Sequence, residues 1–205
     1  MTEPRLIHLV DDDEAIRHSA SFMLRHAGFR VKTYADGVAF LDQVADAERG
    51  CILLDVQMPQ MDGLEVQEAL NQRGVAMPVI VLTGHGDVAV AVRAMKAGAV
   101  DFVEKPYAKE TLVEALSRAF DRLEARRREE VLSDEARGLI ERLTPREHDV
   151  LLGLVEGQTN KSIAETLDIS PRTVEIHRAN VMEKMGASSL STVLRIAFAA
   201  GLGAG

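Results

Sequence analysis

Asp11 and Asp12 follow a short apolar run, Leu6-Ile7-His8-Leu9-Val10, and Asp55 follows a second, Cys51 to Leu54. Thr83 closes a third run, Val79 to Leu82, ahead of Gly84-His85-Gly86. Lys105-Pro106 comes just after a fourth, Phe102-Val103. Carboxylates gathered in one place repel one another and need a partner. A hard divalent cation is a suitable one, and Mg²⁺ favours one or two carboxylates, a carbonyl and waters. A cation held beside a lysine and a threonine is equipped to stabilise a phosphoryl group. Taken one at a time, the acids are ordinary solvated turn residues. The chemistry emerges only if the four runs are strands whose carboxyl ends meet.

The intervening segments supply that arrangement. Ile16, Ala20, Met23, Leu24 and Ala27 recur at helical spacing before Gly28 ends the pattern. Asp36 to Ala47, Gly63 to Gln72 and Val88 to Ala97 behave alike, with Gly98 as a C-cap. Val31 to Tyr34 adds a fifth strand signal. Five strand signals alternating with helices predict a parallel sheet covered on both faces. In such sheets the chemistry sits at the carboxyl ends of the strands.

Composition narrows the choice of class. The chain has 205 residues, 46% of them hydrophobic, and a net charge of −8. That suits one large or two small globular domains. No apolar run is long enough to cross a bilayer. The start of the chain has no basic segment leading into an apolar one, so no signal peptide is expected, and a cytoplasmic location fits. A single cysteine, Cys51, excludes a disulfide framework and a zinc finger. Residues 1–123 carry −6 and residues 124–205 carry −2, so neither part has the basic excess of a typical nucleic-acid binder. Any DNA-binding role must rest on pattern.

Asp11-Asp12, the stretch Asp55-Val-Gln-Met-Pro with Asp62-Gly63, Thr83-Gly84-His85 and Lys105-Pro106 together resemble a response-regulator receiver domain over about residues 5–123. The resemblance implies a doubly wound, flavodoxin-like fold with a five-stranded parallel sheet. It implies that Asp55 accepts a phosphoryl group from a sensor histidine kinase. Asp12, Asp55 and the carbonyl of Gln57 would bind Mg²⁺ directly, and Asp11 through water. Lys105 would pair with phosphoryl oxygens. Thr83 would hydrogen-bond the phosphoryl group, and Phe102 would switch rotamer with it. Pro106 would follow a cis peptide bond. Gln57 and His85, two residues past Asp55 and Thr83, are expected to flank the phosphoryl group and tune the entry of water.

Ala108 to about Leu132 reads as one helix, apolar along Leu112, Leu116, Ala119 and Leu123 and then almost wholly charged. The charged stretch is a solvated linker or a weak coiled coil. Arg126-Arg127-Arg128 has glutamates within helical pairing distance, which favours a solvated face over a nucleic-acid patch. Ser133-Asp134 predicts an N-cap that restarts a short helix, Glu135 to Leu143. The expected organisation is a domain over 1–123, a helical linker over 124–142 and a second domain over 143–205.

After residue 143 the strand signals stop and four short helices follow. Thr144-Pro145-Arg146-Glu147 is a capping box with proline at the first helical position. Thr159-Asn160-Lys161 opens a second helix, Asp168-Ile169 makes a tight turn, and Ser170-Pro171 caps a third that runs from Arg172 to Met185. A fourth spans Ser189 to Ala200. Two helices joined by so short a turn have a helix-turn-helix layout. A four-helix bundle without a ligand is the plain alternative.

Leu143-Thr-Pro-Arg-Glu, Asn160-Lys161-Ser-Ile-Ala and Ser170 to Met185 resemble the LuxR-type DNA-binding domain over about residues 139–202. Receiver plus this domain is the layout of the NarL–FixJ family of transcription regulators, with Thr83-Gly-His-Gly-Asp and Ala94 to Phe102 most like the FixJ branch. That resemblance implies phosphate contacts from Asn160 and Lys161, and a third helix in the major groove. At ~100° per residue, Val174, Val181 and Met185 face the core while Ile176, Ala179 and Glu183 lie opposite. The base-reading set is then Arg172, Thr173, Glu175, Ile176 and Ala179. Ile176 suits a thymine methyl and Glu175 a cytosine amino group, or else an ion pair with Arg172 or Arg178. Arg178, nearer the core side, is expected to reach a phosphate along its stem. The implied function is phosphorylation-gated dimerisation and DNA binding that regulates, and by the FixJ resemblance activates, transcription. Its implied partners are the kinase, duplex DNA, a second copy of the chain and RNA polymerase. It would not be an enzyme beyond its own phosphoryl transfer. The alternative is a phosphorelay or docking switch acting through protein partners.

Overall fold

The computed structural model describes residues 5–84 and 88–203, and the chain divides between Ala125 and Arg126 into two units. In the first unit, β1 (Leu6–Val10), β2 (Arg30–Tyr34), β3 (Cys51–Asp55), β4 (Val79–Thr83) and β5 (Asp101–Glu104) form one sheet. All four pairings are parallel and the order is β2-β1-β3-β4-β5. Every residue of β1, β3 and β4 is buried, as central strands covered on both faces require. Successive side chains alternate faces. Val10, Ile52, Leu54 and Val81 pack with Phe40, Leu64 and Leu70 on one side. Leu9, Leu53, Ile80 and Leu82 pack with Leu24, Leu112 and Leu116 on the other.

The covering helices are α1 (Glu14–His26), α2 (Gly37–Gln43), α3 (Gly63–Gln72), α4 (Val88–Lys96) and the first part of α5 (Lys109–Ile140). Asp13, Asp36 and Asp62 accept bonds from the first backbone N–H groups of α1, α2 and α3. Caps of this kind contribute about 1 kcal/mol each. The helix expected over Asp36 to Ala47 ends early, and Val44–Asp46 tightens into a 3-10 turn that buries Val44. From α3, the Gln67 amide donates to the Ala94 carbonyl at 3.1 Å and the Asn71 amide to the Ala97 carbonyl at 2.8 Å. Both ties fall at the carboxyl end of α4.

α5 corrects the sequence reading. No break and restart occurs at Ser133-Asp134, and the helix is continuous from Lys109 to Ile140. Arginine, glutamate, alanine and leucine between residues 123 and 137 are good helix formers. Ion pairs from Arg126 to Glu130 and from Arg137 to Asp134 lie along its surface at 3.8 and 3.6 Å. Asp134 serves that pair, and Ser133 does not outcompete a helix already running.

The second unit holds α6 (Pro145–Val155), α7 (Asn160–Leu167), α8 (Pro171–Lys184) and α9 (Leu190–Ala199). Thr144, Thr159, Ser170 and Ser189 cap them in turn. The turn from α7 to α8 passes through Asp168, at φ 54° in the left-handed region that aspartate tolerates. Leu151, Val181, Val193 and Ala197 form one cluster, and Val150, Leu154, Ile163 and Val174 another.

Glu147 completes the capping box of α6 and also accepts from Lys184 at the end of α8, 2.6 Å away. Its carboxylate is nearly covered, at 5% exposure. The Lys184 ammonium and the Thr144 N–H pull its pKa from the usual 4.5 down to about 2. A carboxylate depressed in the folded state adds stability above its unfolded pKa and loses it as pH falls through the folded one. Thermal melts of the wild type and Glu147→Gln should therefore differ most at neutral pH, with the variant less stable. The gap should narrow as pH is lowered from about 5 towards 2.

Candidate functional site

The strand order reverses between β1 and β3, and the carboxyl ends of these strands open the crevice where doubly wound sheets bind ligands. Asp11, fully buried, follows β1, and Asp55, 6% exposed, ends β3. Asp12 is exposed at the rim. One carboxylate oxygen from each lies within 4.8 Å of the others. Lys105, just beyond β5, reaches Asp11 at 2.7 Å and Asp55 at 2.9 Å. Its backbone N–H is fastened to the Thr83 carbonyl at 2.8 Å, and the Lys105–Pro106 peptide is cis, as the sequence resemblance implied.

Burial raises the pKa of Asp55, and neighbouring Asp11 adds to this, against the opposing pull of Lys105. Burial opposes the charge on Lys105, yet its bonds to Asp11 and Asp55 hold its pKa above the ordinary value. Like charges at this separation cost on the order of 3 kcal/mol per pair at an effective dielectric constant near 20. One ammonium against three carboxylates leaves a negative pocket made only of hard oxygen donors, a donor set compatible with a divalent cation. The chain's only cysteine is buried within β3 and takes no part.

Backbone geometry fixes Asp55. Val56 N–H donates to the Leu82 carbonyl, and Gly63 N–H to the Val56 carbonyl, each at 3.0 Å. A Cβ at Gly63 would lie 2.2 Å from the Asp55 carbonyl oxygen, so only glycine allows α3 to begin so close to β3. The Gln57 N–H donates to the Asp55 carboxylate, and the Gln57 side-chain amide borders Gly84. His85 lies outside the described residues.

Thr83 is buried, and its hydroxyl makes one long bond, 3.4 Å, to the Gly84 carbonyl. It borders an apolar groove shared with Phe102, Val88, Val92 and Met95, all four of which are notably exposed. Phe102 and Thr83 thus border the same groove, although Phe102 pairs with Val81 in the sheet.

The second unit presents a different surface. Val174 and Val181 of α8 and Met185 at its C-cap are buried, while Ile176, Ala179 and Glu183 are exposed, which matches the expected helical facing. Ile176 is 55% exposed, an unusual setting for a β-branched apolar side chain. Arg172 and Glu175 are exposed, and Glu175 forms no ion pair among the described residues. Thr173 is half-buried with its hydroxyl 2.8 Å from that of Ser170. Lys161 is exposed at the start of α7. Arg178 does not simply reach outward. Its Nη1 donates to the Asn160 side-chain oxygen, which ties α8 to the first turn of α7.

Sequence reasoning missed two features that shape these sites. Arg17 donates to the carbonyl oxygens of both Asp11 and Asp12. The only clue was an arginine one turn into a helix that follows the acids. The link between Arg178 and Asn160 spans 18 residues, and no local pattern announces it.

Residues 7–117 match the response regulator receiver domain, and residues 141–197 match the bacterial regulatory proteins of the luxR family. The transcriptional regulatory protein FixJ of Rhizobium meliloti (strain 1021) is 47% identical over 197 residues, covering 96% of this chain and 97% of that protein. The tetrathionate response regulatory protein TtrR of Salmonella typhimurium is 44% identical, covering 92% and 90%. Among solved structures, full-length FixJ from B. japonicum matches at 43% identity and a TM-score of 0.62, over 98% of each chain. Response regulator StyR matches at 36% identity and a TM-score of 0.78, over 96% and 99%. With the acidic pocket in one unit and the helix-turn-helix in the other, the chain belongs to the two-component response regulators that join a receiver domain to a LuxR-type DNA-binding domain and regulate transcription.

Proposed function

We propose that a sensor histidine kinase phosphorylates Asp55, and that the phosphorylated chain pairs with a second copy and binds promoter DNA to activate transcription. The observation that carries this reading is the placement of Asp55, in contact with Lys105 and within 4.8 Å of Asp11 and Asp12 at the switch point of the sheet. An Asp55 carboxylate oxygen attacks the phosphorus of a phosphohistidine. The P–N bond breaks and the imidazole nitrogen keeps its electron pair. Asp11, Asp12, Asp55 and the Gln57 carbonyl would hold Mg²⁺, which would neutralise charge on the moving phosphoryl group. Lys105 exchanges its Asp55 contact for a phosphoryl oxygen. The Thr83 hydroxyl exchanges its long bond to Gly84 for another, and Phe102 moves within the groove they share.

The exposed apolar side chains of Val88, Val92, Met95 and Phe102 support a dimer formed through the α4 and β5 face. One short recognition helix buries little surface, so a tight site needs two. Half-sites are then expected about one helical turn apart, ~10 bp. In each, Arg172, Thr173, Glu175, Ile176 and Ala179 face base edges, and Lys161, Asn160 and Arg178 lie towards phosphates. RNA polymerase is the candidate partner for activation, in the cytoplasm, and the chain acts by binding rather than as an enzyme on an outside substrate. A phosphorelay or docking switch would not require the exposed Ile176 on α8.

Asp55→Asn should abolish labelling by acetyl phosphate or a phosphohistidine donor, and a stable label on that variant would refute the assignment. Sedimentation should show a monomer before phosphorylation and a dimer after it, and an unchanged mass would count against receiver-mediated pairing. In binding selections, Glu175→Ala and Ile176→Ala should each relax preference at one base pair, at a cost of roughly 1–3 kcal/mol on the preferred site. Lys161→Ala should instead weaken all sequences alike and lower the salt dependence by about one ion.

A further inference from the structure

Arg17 has no role in the phosphoryl transfer described above, yet its place is closely defined. It lies one turn into α1, where its N–H donates to the Asp13 carbonyl at 2.9 Å. Long side chains on a helix point back towards its N-terminus. Arg17 accordingly folds back over the cap, and its Nη1 donates to the carbonyl oxygens of Asp11 and Asp12, 2.8 Å from each. These are two of the three residues whose carboxylates converge.

The two acids differ in how else they are held. The Asp11 side chain accepts from the Asp13 N–H at 2.9 Å and from Lys105 at 2.7 Å. Asp12 is exposed, and no bond to its carboxylate is made among the described residues. Where that carboxylate starts from is set by its backbone, and among the described residues Arg17 is the side chain that grips that backbone.

We propose that Arg17 is a positioning residue for the divalent-cation pocket, holding the Asp11–Asp12 segment so that the Asp12 carboxylate faces Asp55 before a cation arrives. This rests on reading the acidic cluster as a cation site. Two effects of Arg17 oppose each other. Its positive charge repels a cation, so its removal would tighten binding if charge were all that mattered. Its grip on the two carbonyls preorganises a ligand, so its removal loosens binding if positioning dominates. Residues that orient metal ligands typically contribute 10–100-fold to affinity. The sign of the change separates the two effects.

The test is calorimetric titration of the full chain with Mg²⁺, without any phosphoryl donor. The wild type should bind and Asp12→Ala should not, and equal binding by both would overturn the cation site itself. With that site standing, Arg17→Gln should bind Mg²⁺ about tenfold more weakly or worse. Arg25→Gln removes the same charge from the same helix, but Arg25 donates to the Val31 carbonyl, away from the acids. Its affinity should match the wild type. Unchanged or tighter binding by Arg17→Gln, or equal weakening by Arg25→Gln, would overturn the proposal. Should Arg17→Gln not fold, Arg17→Lys carries the test. It keeps the charge on a shorter side chain and should weaken binding severalfold, whereas wild-type affinity would overturn the proposal.

Discussion

The contacts of Lys105 with Asp11 and Asp55, at 2.7 and 2.9 Å, are what allow acidic side chains to sit together in a pocket where Asp11 is wholly buried. Without a counter-charge, a carboxylate removed from water would take up a proton. The ammonium can stand there because the Thr83 carbonyl fixes its backbone, which in turn links β4 to the segment after β5. The charge of the pocket and the position of Thr83 are thus mechanically joined. The same lysine touches the acidic pocket with its side chain and the Thr83 carbonyl with its backbone.

The DNA-binding unit solves a different problem. A small domain with little net charge must hold α8 firmly without spending that helix's outer face on internal packing. It does so from both ends and from the middle. Ser170 caps the start of α8, Lys184 ties its end to Glu147, and Arg178 holds its middle to Asn160. Val174 and Val181 face inward, which leaves Ile176 and Ala179 on the open side.

The strands were legible in the sequence because each is a short apolar run with a polar end, and strand–helix alternation leaves few topologies open. The pocket was legible because its residues follow those runs directly. The facing of α8 followed from its period. What stayed hidden depends on side-chain contacts that no spacing rule announces, over five and six residues for Arg17 and over 18 for Arg178. Arg17 and Arg178 look like surface arginines until the fold brings carbonyls and an amide to them. Ser133-Asp134 misled because a capping residue has the same identity whether it starts a helix or rides on one. The ion pairs and helix formers around it decided the outcome.

The two amides of α3 that bond the Ala94 and Ala97 carbonyls hold α4 at its carboxyl end, so a tilt of the helix about that end would have its fulcrum there. Val88 stands about 12 Å from Lys96 along the axis, at 1.5 Å per residue. A tilt of about ten degrees around the fulcrum would carry Val88 about 2 Å while Ala97 stays in place. The long arm would end at Val88, which lines the groove with Thr83 and Phe102, so such a tilt would be greatest where the pocket and the apolar face adjoin.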